Sequence, residues 1–170
     1  MTPESEPKKE KQRKISAVGA IIMFSDGRIL IAKETQDKPE IDKKAGDWGF
    51  PVETLKEGES FNDGLKRLIE EEVGSLEYFF DPKRDWVGDY GIESLGKTIW
   101  ERVFVLHAKA SSLEANNLAS VDNEVIDHRW VFPKSLQSLP RRSGVWEPLK
   151  DFTSGQRGVI CQKCSPGVRF

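Results

Sequence analysis

The stretch that decides how this chain reads is "VETLKEGESFNDGLKRLIEEEVGSL", residues 52–76. A Gly-containing turn leads into a segment with Phe61, Leu65, Leu68, Ile69 and Val73 at spacings of three and four, the stripe of an amphipathic helix. Ser60 stands where an N-cap is needed, Asp63 three residues later is an approximate capping-box partner, and Gly74 is a natural stop. Gly64 in mid-helix costs about 1 kcal/mol relative to alanine, which points to close packing there. Glu70, Glu71 and Glu72 end the helix. Acidic helix faces are common, so composition alone favours a solvated charge run. Grouped carboxylates without His or Cys also suit hard cations such as Mg²⁺ or Mn²⁺, and through them phosphate-ester or pyrophosphate chemistry.

Working outward, residues 15–24, "ISAVGAIIMF", and "RILIAK" flank Ser25-Asp26-Gly27, and the Asp-Gly pair predicts a β-hairpin. The polar "ETQDKPEIDKKAGD" reads as a long surface loop and "WGFP" as a short strand leading into the helix motif. Beyond it, "LEYFF", "DWVGDY", "KTIWERVFVLHAKA" and "EVIDHRWVF" are strand candidates, with a polar loop "SSLEANNLASVDN" before the last. "PKSLQSL" reads as a short helix, and "VWEPLKDF" as another if Pro148 falls in its first turn. Strands on both sides of one central helix, with a second helix late, predict an α+β domain.

The chain of 170 residues is long enough for one domain that buries about two thirds of its unfolded surface. Residues 1–13 read as a flexible N-terminal arm, residues 14–153 as the domain, and residues 154–170 as an irregular C-terminal tail. Net charge is −2, so the general basic field of a nucleic-acid binder is missing. No apolar run of about 18 residues exists, which argues against a membrane span, and the N-terminus lacks the apolar core of a secretory signal. Cys161 and Cys164 are the only cysteines; they predict neither a disulfide scaffold nor a complete zinc site, and reduced thiols suit a cytoplasmic protein.

The stretch "WGFPVETLKEGESFNDGLKRLIEEEVGSL" resembles the Nudix box of the Nudix hydrolases, G-x5-E-x7-R-E-U-x-E-E-x-G-U with U apolar. Gly74, Glu71, Glu72, Ile69, Arg67 and Glu59 match their positions, and Ser75 stands at the final apolar one. The order of hairpin, "WGFP", box and "NEVIDHRWVFPKSLQSL" is also similar, over roughly residues 14–140. The resemblance implies a Nudix-like α/β/α sandwich, with a mixed β-sheet and the box helix packed against it. It further implies a hydrolase cleaving a pyrophosphate bond in a nucleoside diphosphate derivative with Mg²⁺ or Mn²⁺. Glu71 and Glu72 would hold metal, Glu72 would be catalytic, and Glu59, Arg67 and Gly74 would be structural.

Two positions depart from the pattern. "PVE" stands where "PGG" is common, putting Val52 and Glu53 where the backbone normally nears a metal. Leu68 replaces the glutamate after the arginine, a principal metal ligand in the family. Glu53 is the candidate replacement ligand, and Glu124 the downstream acid that would position or deprotonate water. Trp48, Arg28 and Lys44 are candidates for contacting substrate, whereas the other aromatics read as core and the arginines of "PRRSG" as solvated charge. The expected partner is a nucleotide-derived small molecule, with an RNA end as the one nucleic-acid option and a homodimer as a possible assembly. The alternative function is a catalytically impaired Nudix-fold module that binds a nucleotide-like ligand or a protein.

Overall fold

In the computed structural model, described for residues 14–38, 44–74, 76–109, 125–142 and 144–161, the first hairpin turns where the Asp-Gly pair puts it. Gly27 has φ +93° and donates its N–H to the Phe24 carbonyl at 2.9 Å. The flanking strands are β1 (Ile15–Met23) and β2 (Ile29–Glu34). They pair only at Met23 and Ile29, then separate. Over the rest of its length β1 runs parallel to β7 (Lys97–Ala108), while β4 (Val52–Thr54) pairs with its first half, Val18 opposite Glu53. On its two sides β2 takes β3 (Trp48–Gly49) and β8 (Val125–Val131). Across β7 lie β5 (Tyr78–Phe79) and β6 (Trp86–Ser94), and β6 carries β9 (Val159–Cys161) as a parallel edge. Among the described residues the result is one mixed sheet of nine strands.

Strand β9 lies within the segment read as an irregular tail. Its pairing with Gly88–Tyr90 of β6 is a tertiary contact that three residues of local pattern do not announce. Residues 1–13, the "SSLEANNLASVDN" loop and Cys164 fall outside the described residues; Cys161, at the end of β9, is part-exposed.

The sheet alternation sorts the interior into two layers. On one face Val18, Ala20, Ile22, Leu30, Phe104 and Leu106 meet Leu65, Leu68, Ile69 and Val73 of the box helix. On the other Ile21, Ile29, Ile31, Phe50, Tyr90, Val103 and Val105 meet Leu136, Val145 and Leu149. These last belong to a 3-10 helix, Pro133–Ser138, and to α2 (Trp146–Thr153) with the residue before it. Pro148 is the third residue of α2, where its missing N–H costs nothing. Helices therefore cover both faces, the α/β/α sandwich expected. No helix among the described residues is long and apolar enough to cross a membrane.

Candidate active site

The box begins with a loop wound around Glu59. The Lys56 N–H donates to Glu59 Oε1 at 3.1 Å, the Glu59 N–H donates to the Lys56 carbonyl at 3.0 Å, and Gly58 takes φ +74° between them. Helix α1 (Phe61–Leu68) then starts as its sequence directs, with the Asp63 N–H donating to Ser60 Oγ at 3.1 Å. Gly64 is required by packing: a Cβ there would overlap Leu55 Cδ2. Loop and helix can approach this closely only over a glycine.

From Ile69 the helix widens into a π-turn, Ile69–Val73, closed by the Gly74 N–H donating to the Ile69 carbonyl at 2.8 Å. The three glutamates on it diverge. Glu70 is exposed, Glu71 is half-open, and Glu72 is buried at 3% exposure. His128 of β8 makes a 2.8 Å hydrogen bond from Nε2 to the Glu72 carbonyl, tying the turn to the sheet. Leu68, fully buried, sits in the core layer under α1. The α spacing puts residue 68 on the same face as Glu71 and Glu72. The hydrophobic layer claims it instead, and the π-turn rephases the residues beyond it.

Arg67 is the centre of the site. Its Nε donates to Glu59 Oε2 at 3.0 Å and its Nη2 to Glu59 Oε1 at 2.9 Å, the fork-to-fork geometry that suits guanidinium and carboxylate. Nη2 also donates to the Thr54 carbonyl at 2.8 Å. Nη1 faces two further carboxylates, Glu71 Oε2 at 3.4 Å and Glu53 Oε1 at 3.5 Å. The hydrogen bond from Arg67, with that from the Lys56 N–H, lowers the Glu59 pKa to about 2. The Glu59 bond likewise raises the pKa of Arg67, against its partial burial. Arg67 thus gathers Glu53 from β4, Glu59 from the loop and Glu71 from the helix around one fixed positive charge.

That donor set defines what cation it can take. Among the described residues no group of three or more His, Cys, Asp or Glu side chains gathers as a metal site. Glu53 and Glu71, both part-exposed and both on Nη1, are hard oxygen donors. Mg²⁺ is usually held by one or two carboxylates, water and substrate phosphates, so the pair fits an ion shared with a substrate rather than a closed cage.

The remaining candidates lie apart. Trp48 is 3% exposed, with the Arg129 guanidinium 4.6 Å from its ring centroid, so it does not stand open for stacking. Arg28 is held by Asp26 through its Nε at 2.7 Å in the hairpin turn, about 17 Å along β1 from the Val18–Glu53 pair at the usual rise per residue. Lys44 is exposed in the loop before β3. Glu124 is outside the described residues.

Among the described residues, Arg142 and Glu101 are two of the buried charges that the sequence does not announce, beside Asp85 and Asp89. Arg142, read as solvated with its neighbour, is 5% exposed and donates from Nη2 to the Phe50 carbonyl at 3.0 Å, propping the "GFP" segment just before Glu53. Its backbone N–H bonds to the Trp48 carbonyl, which draws the side chain beneath β3. Glu101, 2% exposed, lies on the α2 side of β7, where a Cβ on Gly19 would meet its Oε1 at 2.6 Å. Strand alternation with Val103 and Val105 was the available signal for Glu101; nothing local signals Arg142.

The sheet between helical layers, with an Arg-centred carboxylate cluster where the loop enters the helix, is the architecture of a Nudix domain. The NUDIX domain model matches residues 13–152, and the chain belongs to that family. The E. coli ORF135 protein is similar at 24% identity over 82% of this chain and 89% of its own, TM-score 0.61. A MutT protein from Methanosarcina mazei Go1 is similar at 19% identity over 84% and 96%, TM-score 0.63. The NUDIX domain of Shewanella oneidensis NrtR, in complex with ADP ribose, is similar at 11% identity over 88% and 93%, TM-score 0.66. At these identities the likeness is one of fold. A comparison with curated proteins gives no significant match.

Proposed function

We propose that this chain hydrolyses the pyrophosphate bond of a nucleoside diphosphate derivative, with Mg²⁺ or Mn²⁺ entering on the substrate phosphates. The observation that carries this is the convergence of Glu53 and Glu71 on Nη1 of Arg67. A carboxylate absent at position 68 is matched by one present at position 53, facing the same guanidinium. The bound cation would neutralise charge on the bridging phosphates and favour attack by water. Glu53 and Glu71 would hold it, with Glu72 at the helix end as a further ligand or base. Arg67, clamped on Glu59, would keep the loop and helix at fixed separation. Glu124, upstream of β8, would position the attacking water.

A panel drawn from relatives of the fold tests this: ADP ribose, a dinucleoside tetraphosphate, UDP-linked compounds and nucleoside triphosphates, each with Mg²⁺ and with Mn²⁺. A C. elegans Ap4A hydrolase and a UDP-X diphosphatase are among those relatives. Metal-dependent release of product, lowered about 100-fold or more in Glu53→Gln and in Glu71→Gln, is expected for residues acting on the transition state. No turnover on any member with either metal would defeat the hydrolase reading.

One observation favours a second reading, a module that binds without cutting: Leu68 is fully buried, so the box helix offers no carboxylate there. Calorimetry with the same panel separates the two. Binding that needs no metal and leaves the ligand intact would support the module.

A further inference from the structure

On the face of the sheet away from α1, the 3-10 helix and α2 diverge and leave a groove of about 480 Å³. Its walls are apolar: Phe132, Pro133 and Trp146, with Leu149 beneath. Phe132 is 53% exposed, an aromatic ring left at the surface beside the concavity. The two charged residues lining it are both lysines, Lys134 on the 3-10 helix and Lys150 on α2. No acid is among the described lining residues, although Glu147, three residues before Lys150 on α2, interacts electrostatically with it. Trp146, Leu149 and Lys150 share one face of α2, whereas Glu147 and Asp151 share another. Asp151 is turned to the sheet, where it accepts a 2.8 Å hydrogen bond from the Tyr90 hydroxyl.

The groove is also preformed. Leu136 roots the 3-10 helix with no exposure, and Arg141 Nη1 donates to the Leu136 and Gln137 carbonyls at 2.9 and 3.0 Å. The same guanidinium lies 5.5 Å from the Trp146 ring centroid, fixing one helical wall against the other. A concavity of this size, mostly apolar with a few charged groups of one sign, has the make-up of a small-molecule site.

We propose that this groove binds an amphiphilic anion, a compound with an aromatic or aliphatic body and a single anionic head. The body lies along Phe132, Trp146 and Leu149, and the head meets Lys134 and Lys150. The site is separate from the Arg67 cluster, so it stands whether or not the chain hydrolyses pyrophosphates.

The full chain can be titrated with 8-anilinonaphthalene-1-sulfonate and with N-phenyl-1-naphthylamine, its uncharged counterpart, following fluorescence. The sulfonate should bind about fivefold or more tightly than the amine, the margin two exposed lysines give an anion. Lys134→Gln with Lys150→Gln should abolish that margin and leave the amine unaffected, while Phe132→Ser should weaken both. Circular dichroism melts establish that the variants fold. Saturating ADP ribose should not displace the sulfonate. Failure of both probes to bind, equal binding of the two, binding indifferent to all three substitutions, or displacement by ADP ribose would each overturn the assignment.

Discussion

Arg67 and Glu59 are joined by two near-parallel hydrogen bonds of 3.0 and 2.9 Å, and that clamp sets the spacing between the box loop and the box helix. Glu59 keeps its charge down to about pH 2, against a usual value of 4.5, chiefly because Arg67 donates to it. A carboxylate lowered in the folded state contributes stability that is complete above its unfolded pKa and is lost as pH falls through the folded one. The stability gap between the parent and Glu59→Gln, read from urea midpoints, should therefore be constant above about pH 5 and close between about pH 4.5 and 2. A gap that widens on acidification would contradict the clamp.

Replacing Leu68 by glutamate restores the family residue to the sequence but not to the site. Leu68 is fully enclosed among Val18, Ile22, Leu65, Phe104 and Leu106, so a carboxylate there is buried without a cation. The cost should be about 3 kcal/mol or more in chemical denaturation, with no gain in Mn²⁺ binding by calorimetry. A variant of parental stability that binds Mn²⁺ more tightly would place residue 68 at the metal instead.

Gly64→Ala should destabilise although alanine is the better helix former. The new methyl collides with Leu55 Cδ2, and displacing a packed leucine costs about 1–3 kcal/mol against about 1 kcal/mol gained in propensity. Adding Leu55→Ala removes the obstacle, so the effect of Gly64→Ala should turn favourable in that background. A double-mutant cycle with no coupling would show the two side chains do not meet.

The turn joining β6 to β7 is Leu95-Gly96, with Ser94 paired to Lys97 and both turn residues at positive φ, 49° and 75°. Leucine is strained in that region, costing about 1 kcal/mol, and at 73% exposure it buries little in return. Leu95→Asn supplies the Asn-Gly pair this hairpin favours and should raise stability by about 0.5–1 kcal/mol in thermal or urea melts.

Features that depend on neighbours in the chain could be read from the sequence. Gly27 turns the hairpin, Ser60 caps α1, Gly64 marks a close approach and Gly74 ends the helix, each through a local backbone demand. The family and layering came from the box and the order of elements. Features that escaped depend on residues distant in sequence. Trp48 and Arg142 are buried because the segment after the 3-10 helix returns alongside β3. The π-turn forms where His128 and Gly74 anchor the end of the box helix, and α spacing carries no trace of it. The sequence places Glu53 in the box loop; its approach to Arg67 rests on the register between β4 and β1.

The parallel pairing of β1 with β7 has a consequence for synthesis. Ile15 waits for Trp100, and through Met23 to His107 the two strands run side by side. At about 5–20 residues per second, the roughly 80 residues between them take several seconds to translate. Throughout that interval a strand with Ala20, Ile21 and Ile22 in its middle lacks its longest neighbour. Long-range parallel pairings of this kind form slowly and leave apolar segments exposed to aggregation. Yield from a heated or overcrowded cell should thus depend more on chaperone supply during elongation than on the stability of the finished domain.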